Sequence, residues 1–234
     1  MQPAEIPLFS VILPTFNRAA MLEQAVRSVR QQHFQDWELL VVDDGYTDDT
    51  AGVVTAFSDS RIRYLPGSHR GRSEARNRGL AQCKGRYVCF LDDDDLYLPD
   101  HLGCFAEYLR LQGFPKVILR SGMKSTGLGR CREYPLYRKK RPDAHPLRFF
   151  LFHTCSPGTL CIPREFADGF GFTEGLDDWE DTEWIIRLFA RYPMVQLERA
   201  TYIYVKHEAM GSLTAYRDGA AMLRQLTGVE AVMD

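Results

Sequence analysis

Asp92, Asp93, Asp94 and Asp95 follow directly on the apolar run Tyr87-Val88-Cys89-Phe90-Leu91, so four consecutive carboxylates leave one point of the chain. Adjacent anions repel one another and raise each other's pKa unless a cation neutralises them, and hard oxygen ligands of this kind suit Mg²⁺ or Mn²⁺. Because Mg²⁺ is usually held by one or two carboxylates together with substrate phosphates, the chemistry implied is binding of a metal-complexed nucleotide. A second pair, Asp43-Asp44, closes another apolar run, and a third acidic block extends from Asp177 to Glu183. The plain alternative is a set of solvated turns that cap helices. For Asp48 and Asp49 capping is the expected role. A solvated turn, however, needs no buried strand to aim it, and Asp92 has one.

The elements that must position these carboxylates can be read from periodicity. Short, continuous runs of β-branched and aromatic residues suit interior strands of an α/β sheet, and residues 8–13, 37–42, 61–65 and 87–91 are such runs. Pro14 is expected to end the first of them. Met21, Leu22, Ala25, Val26 and Val29 fall at helical spacing within residues 19–33. Further helices are expected from Thr47-Asp48 to about Phe57 and over 74–83, the latter stopped by Gly85 as a left-handed cap. The first hundred residues therefore read β-α-β-α-β-α-β. Right-handed crossovers gather the polar loops along the carboxyl edge, where open parallel sheets bind ligands. The loop 66–73, which mixes glycine with Arg70 and Arg72, suits either phosphates or solvent.

With 234 residues, 45% of them hydrophobic, the chain can bury a full core. One domain over residues 1–234 is expected, split into a nucleotide-binding half (1–97) and an acceptor-binding half (98–234). A net charge of −2 gives no general attraction to nucleic acid or to an anionic membrane. The six scattered cysteines form no C-x-x-C pair, which fits reduced thiols and a cytoplasmic location better than a disulfide framework or a zinc site. No apolar stretch approaches the roughly 18 residues of a membrane span.

The second half should begin with a helix over 98–111 and a strand at 117–119. Residues 130–141 interleave Arg130, Arg132, Arg138, Lys139, Lys140 and Arg141 with Tyr134 and Tyr137. Such a stretch suits an acceptor or lipid-phosphate contact, and with it a peripheral position at the inner face of a membrane, or else an ordinary charged hairpin. An aromatic helix is expected over 147–152 and a turn into a strand over 156–162. Trp184, Ile185 and Leu188 put an apolar stripe on a helix beginning near Asp181. A last strand over 195–205 and a helix over 216–226 complete the reading.

Four ordered blocks then carry a resemblance: Ser10 to Arg18, Val41 to Thr50, Ala75-Arg76-Asn77-Arg78-Gly79, and Phe90 to Asp95. Together they resemble the family 2 glycosyltransferases. The resemblance implies the GT-A fold, a Rossmann-like mixed α/β sheet flanked by helices with a nucleotide-binding half and an acceptor-binding half. It implies a D-x-D motif at Asp92 and Asp94, with Asp93 between them on the nucleotide, and Asp94 ligating Mg²⁺ or Mn²⁺. It also implies base recognition by Asp44 and a base pocket lined by Pro14, Thr15 and Phe16. Tyr46 replaces the serine usual after D-D-G. Glu180-Asp181 through Arg187-Leu188 matches the family's E-D block, which makes Asp181 the general base, with Asp178 in reserve. His207 with Ser212 and Thr214 resembles the closing segment, and His207 is a lesser candidate for reaching metal or diphosphate.

The reaction implied is inverting transfer from a nucleotide-sugar, expected to be UDP-linked, to a saccharide or lipid-linked hydroxyl. A general base serves the acceptor and a metal serves the leaving diphosphate. Two other readings make different demands. A nucleotidylyltransferase should carry a glycine-rich, arginine-containing first loop in place of Pro14-Thr15-Phe16-Asn17-Arg18, and a silent sugar-nucleotide-binding module should lack one of the acidic blocks.

Overall fold

The structure, a computed structural model, describes residues 6–45, 47–67, 69–127, 130–134, 155–176 and 178–206. Tyr46, Asp177, the basic run past residue 134, the aromatic stretch 147–152, His207, the 212–214 segment and the helix expected over 216–226 lie outside the described residues.

Strands β1 (Phe9–Thr15) and β2 (Trp37–Asp43) are buried at every position, because both faces of the sheet are covered. Between them runs α1 (Ala19–Arg30), followed in turn by α2 (Thr50–Ala56), β3 (Ile62–Pro66), α3 (Arg72–Gln82) and β4 (Tyr87–Phe90). The rest comprises β5 (Leu96–Tyr97), α4 (His101–Leu111), β6 (Ile118–Gly127), β7 (Arg130–Glu133), a 3-10 turn at Pro157–Thr159, β8 (Leu160–Pro163), α5 (Arg164–Ala167), α6 (Glu180–Arg191) and β9 (Met194–Val205). Among the described residues the strands form one sheet in the order β3-β2-β1-β4-β8-β6-β9-β5, with β7 paired to β6. Strands β1 to β4 pair in parallel, whereas β8 runs antiparallel to both β4 and β6.

Side chains of a strand alternate between the two faces, and two cores result. Phe9, Val11 and Leu13 join Leu39, Val41 and Cys89 under Leu22, Val26, Val29, Phe105 and Leu109 of α1 and α4. Ile12, Leu40, Val42, Val88 and Phe90 face Ala75 of α3 and Trp184, Ile185 and Leu188 of α6.

Two expectations need correction, and one element was not expected. Pro14 does not end β1. Ile12 accepts from the Leu91 amide and Thr15 from the Asp44 amide, so the ring of Pro14 faces the β4 side. Pairing with β4 has already stopped there at Ile12–Phe90, and the missing N–H costs no ladder bond. Gly85 is not a left-handed cap either, since α3 ends on Cys83 in extended conformation. A Cβ at Gly85 would lie 2.4 Å from the Ser10 amide nitrogen, so glycine is required there for close approach to β1. Finally, β5 follows the acidic turn unannounced and pairs with β9. It stands four places from β4 in the strand order, yet the Tyr97 hydroxyl donates to the Phe90 carbonyl. The sheet therefore curls back on itself at the acidic turn.

Candidate active site

The acidic turn continues the alternation of the strand before it. Asp93 and Asp95 are buried while Asp92 and Asp94 are partly exposed. The i, i+2 spacing thus puts two carboxylates outward and two inward. Asp93 accepts from Thr15 Oγ1 at 2.7 Å and Arg18 Nη1 at 3.1 Å, and burial pushes its carboxyl up to about 6 against those bonds. Asp95 accepts from the Val205 amide at 2.9 Å and from the Tyr202 hydroxyl. Burial, then the neighbouring Asp92 charge, holds it well above the usual carboxylate range. Asp94 meets Arg18 Nη1 at 3.2 Å, and Asp92 meets Arg76 Nη2 at 2.9 Å.

At the end of β2 the two aspartates separate in role. Asp43 accepts from the Gly45 amide at 2.8 Å and the Tyr64 hydroxyl at 2.6 Å. Burial, with Asp43 beside it, pushes the Tyr64 phenol up to about 12. Asp44 takes the amides of Arg70 and Gly71 at 2.9 and 2.7 Å, one on each oxygen, and so fastens the 66–71 loop over the sheet edge. Of the three residues assigned to the base pocket, Pro14 and Thr15 are buried, while Phe16 is 45% exposed. Phe16 stacks on His69 of that loop, with ring centroids 4.7 Å apart. Asp48 accepts from both Ala19 N and Thr50 N, and so caps the first turn of α1 while closing the turn before α2.

The second acidic block opens α6 after Trp179, whose φ of 67° turns the chain sharply into the helix. Glu180 is 2% exposed and accepts from Arg76 Nη1 at 2.8 Å. Asp181 is partly buried, its Oδ1 receiving the Thr182 amide at 2.6 Å. A helix N-terminus alone would favour its ionised form, but the carboxyl is raised. Burial is the larger cause and the Glu180 charge the next, against a lowering by Arg76. Asp178 is exposed. Trp184 lies beneath, fully buried, its indole N–H on the Phe170 carbonyl.

Arg76 therefore touches both acidic blocks at once, at Asp92 and at Glu180. Sequence reasoning had flagged it only within a motif, although an arginine on the buried face of a helix, beside Ala75 and Gly79, is itself a signal. The pairings of Arg18, Asp95 and His69 are not readable from the sequence. Their partners lie far along the chain, 107 residues away for Asp95 and Tyr202. Among the described residues no three His, Cys, Asp or Glu side chains converge as a closed metal site.

A curled mixed sheet with acidic turns gathered at the carboxyl ends of its parallel strands places the chain in the GT-A fold class. Residues 10–168 match the family described as glycosyl transferase family 2, and the chain belongs to that family. The fold is similar to that of Staphylococcus aureus TarS 1–349 in complex with UDP-GlcNAc, with a TM-score of 0.77 at 25% identity over 94% of this chain and 65% of that one. Among curated relatives, Campylobacter jejuni GalNAc(5)-diNAcBac-PP-undecaprenol beta-1,3-glucosyltransferase is 45% identical over 94 residues, 38% of this chain and 30% of that protein. The Escherichia coli UDP-Glc:alpha-D-GlcNAc-diphosphoundecaprenol beta-1,3-glucosyltransferase WfgD is 40% identical over 96 residues, 41% of this chain and 38% of that protein. The chain thus matches well under half the length of these two relatives.

Proposed function

We propose that this chain is an inverting, metal-dependent glycosyltransferase that moves a sugar from a UDP-sugar to a hydroxyl of a lipid-linked saccharide. The observation that carries the reading is the meeting of the acidic turn and the start of α6 at one guanidinium, that of Arg76. It joins a donor-side acid pair to an acceptor-side carboxylate. The names of the relatives support a uridine donor and an undecaprenyl diphosphate-linked acceptor.

The donor set fits Mg²⁺ or Mn²⁺. Asp92 and Asp94 offer two outward carboxylates and leave the rest of the coordination to water and the diphosphate, as a small hard cation prefers. Asp94 is assigned as the ligand. When bound, the cation supplies Lewis-acid neutralisation of the departing diphosphate. Asp44, by fastening the 66–71 loop, and Phe16, as an exposed aromatic face, hold the base. Pro14, Thr15 and Asp93 act from below, through the buried Thr15–Asp93 hydrogen bond. Asp181 takes the proton of the attacking hydroxyl, and its raised pKa brings it nearer the neutral range where a general base works best. With one base and no second carboxylate acting as nucleophile, a single displacement inverts the anomeric centre. No described helix is long and apolar enough to cross a membrane. The basic stretch 130–141 is the proposed contact with the membrane surface that carries a lipid-linked acceptor.

Calorimetric titration with UDP, with Mn²⁺ present or removed by EDTA, tests the donor side. Asp94→Ala should abolish the Mn²⁺-dependent component while the circular dichroism spectrum stays as in wild type. Wild-type binding indifferent to EDTA contradicts the metal assignment.

A further inference from the structure

Arg76 is 5% exposed, with Nη1 on Glu180 Oε1 at 2.8 Å and Nη2 on Asp92 Oδ1 at 2.9 Å. Its guanidinium lies over the ring of Phe172, 5.2 Å from the centroid. Phe172 in turn stacks on Trp184 of α6 at 4.2 Å, so the plane of the fork is set from beneath by the same helix whose first residue it grips. A planar, permanently charged fork can hold two carboxylates in fixed relation, which a flexible ammonium cannot.

We infer that Arg76 is a positioning residue that locks the first turn of α6, and with it Asp181, at a fixed distance from the acidic turn. This rests on the reading of Asp181 as base. Arg76 need not touch substrate. It acts through Glu180, one residue before the base, and through Asp92, two residues before the metal ligand. A buried ion pair of this kind contributes little net stability compared with a well-packed apolar substitute. Its use is geometric, since displacing a catalytic group by about 1 Å can cost on the order of 10²-fold in rate.

The test separates position from folding. Arg76→Met alone leaves the buried Glu180 carboxylate with only the longer contact to Arg72, 3.7 Å away, so the informative variant is Arg76→Met combined with Glu180→Gln. Arg76→Lys, which keeps the charge without the fork, is the second. Both are compared with wild type by thermal melting, UDP–Mn²⁺ calorimetry, UDP release from UDP-glucose with water as acceptor, and hydrogen exchange. The double variant should melt close to wild type and bind UDP within about threefold. It should release UDP about 10²-fold more slowly and exchange the amides of residues 181–183 at least tenfold faster, with β1 and α1 unchanged. Arg76→Lys should show the same pattern at smaller amplitude. If wild type releases no UDP but the exchange responds as described, the positioning role stands and the reading of the reaction falls. Unchanged exchange at 181–183 in a folded variant overturns the inference, whatever the turnover.

Discussion

At the level of single residues, the chemistry turns on which carboxylates face out. Asp181→Asn is nearly isosteric and removes the proton acceptor alone. It should leave UDP affinity near wild type and lower turnover by about 10²-fold or more, and the Asp178→Asn control should be mild because Asp178 is exposed. Equal rates for the two variants in a steady-state assay would remove Asp181 from the mechanism. The pair Asp92 and Asp94 was legible through its resemblance to a D-x-D motif, and the structure adds that both are partly exposed while Asp93 and Asp95 are buried. The inward duties of Asp93 and Asp95 were not legible, since Thr15 and Tyr202 lie 78 and 107 residues away along the chain. Nor was the pKa of Asp181. Helix polarity was visible in the sequence, but the burial and the Glu180 charge that outweigh it appear only once α6 is packed.

Among the elements, close approaches decide the geometry. A Cβ on Gly79 of α3 would lie 2.4 Å from Cγ2 of Ile12, which is fully buried in β1. Alanine gains about 1 kcal/mol in helix propensity, but forcing α3 off the sheet costs about 1–3 kcal/mol. Gly79→Ala should therefore be no more stable than wild type in urea unfolding, and slower in turnover because Arg76 rides on the same helix. A clear gain in stability would show that the gap relaxes. Asp44→Ala removes both anchors of the 66–71 loop. It should weaken UDP by about tenfold, the scale of one hydrogen bond to a charged group, and open the loop to limited proteolysis, while leaving the effect of EDTA on binding as in wild type. The parallel strands were read correctly because their apolar runs are local. Strand β5 is two residues long and exists only because β9 pairs with it, so no local pattern could announce it.

Over the whole molecule, α4 is held to β9 by a histidine that must stay neutral. His101 is fully buried, its Nδ1 2.8 Å from Thr201 Oγ1 and its ring stacked 3.8 Å from that of Tyr97. Burial depresses it from 6.5 to about 3. A depressed folded pKa means stability that is fully present above the unfolded value and lost as pH falls towards the folded one. Between pH 6.5 and 5 the protein should lose about 2 kcal/mol through this group. Urea unfolding at the two pH values measures it, and His101→Phe should flatten the difference. The curl described above has a last consequence, for folding. A chain cut after Tyr97 would retain the three crossovers that join β1 to β4 and the entire acidic turn, yet β4 would lose its partner β8 and β5 would lose β9. Arg76 would face Asp92 with no Glu180, and an open strand edge would invite self-association. The residues that read most plainly as a motif therefore depend for their shape on the last strand described, where Tyr202 and Val205 hold Asp95, and residues 1–97 expressed alone should fail to give a cooperative urea transition.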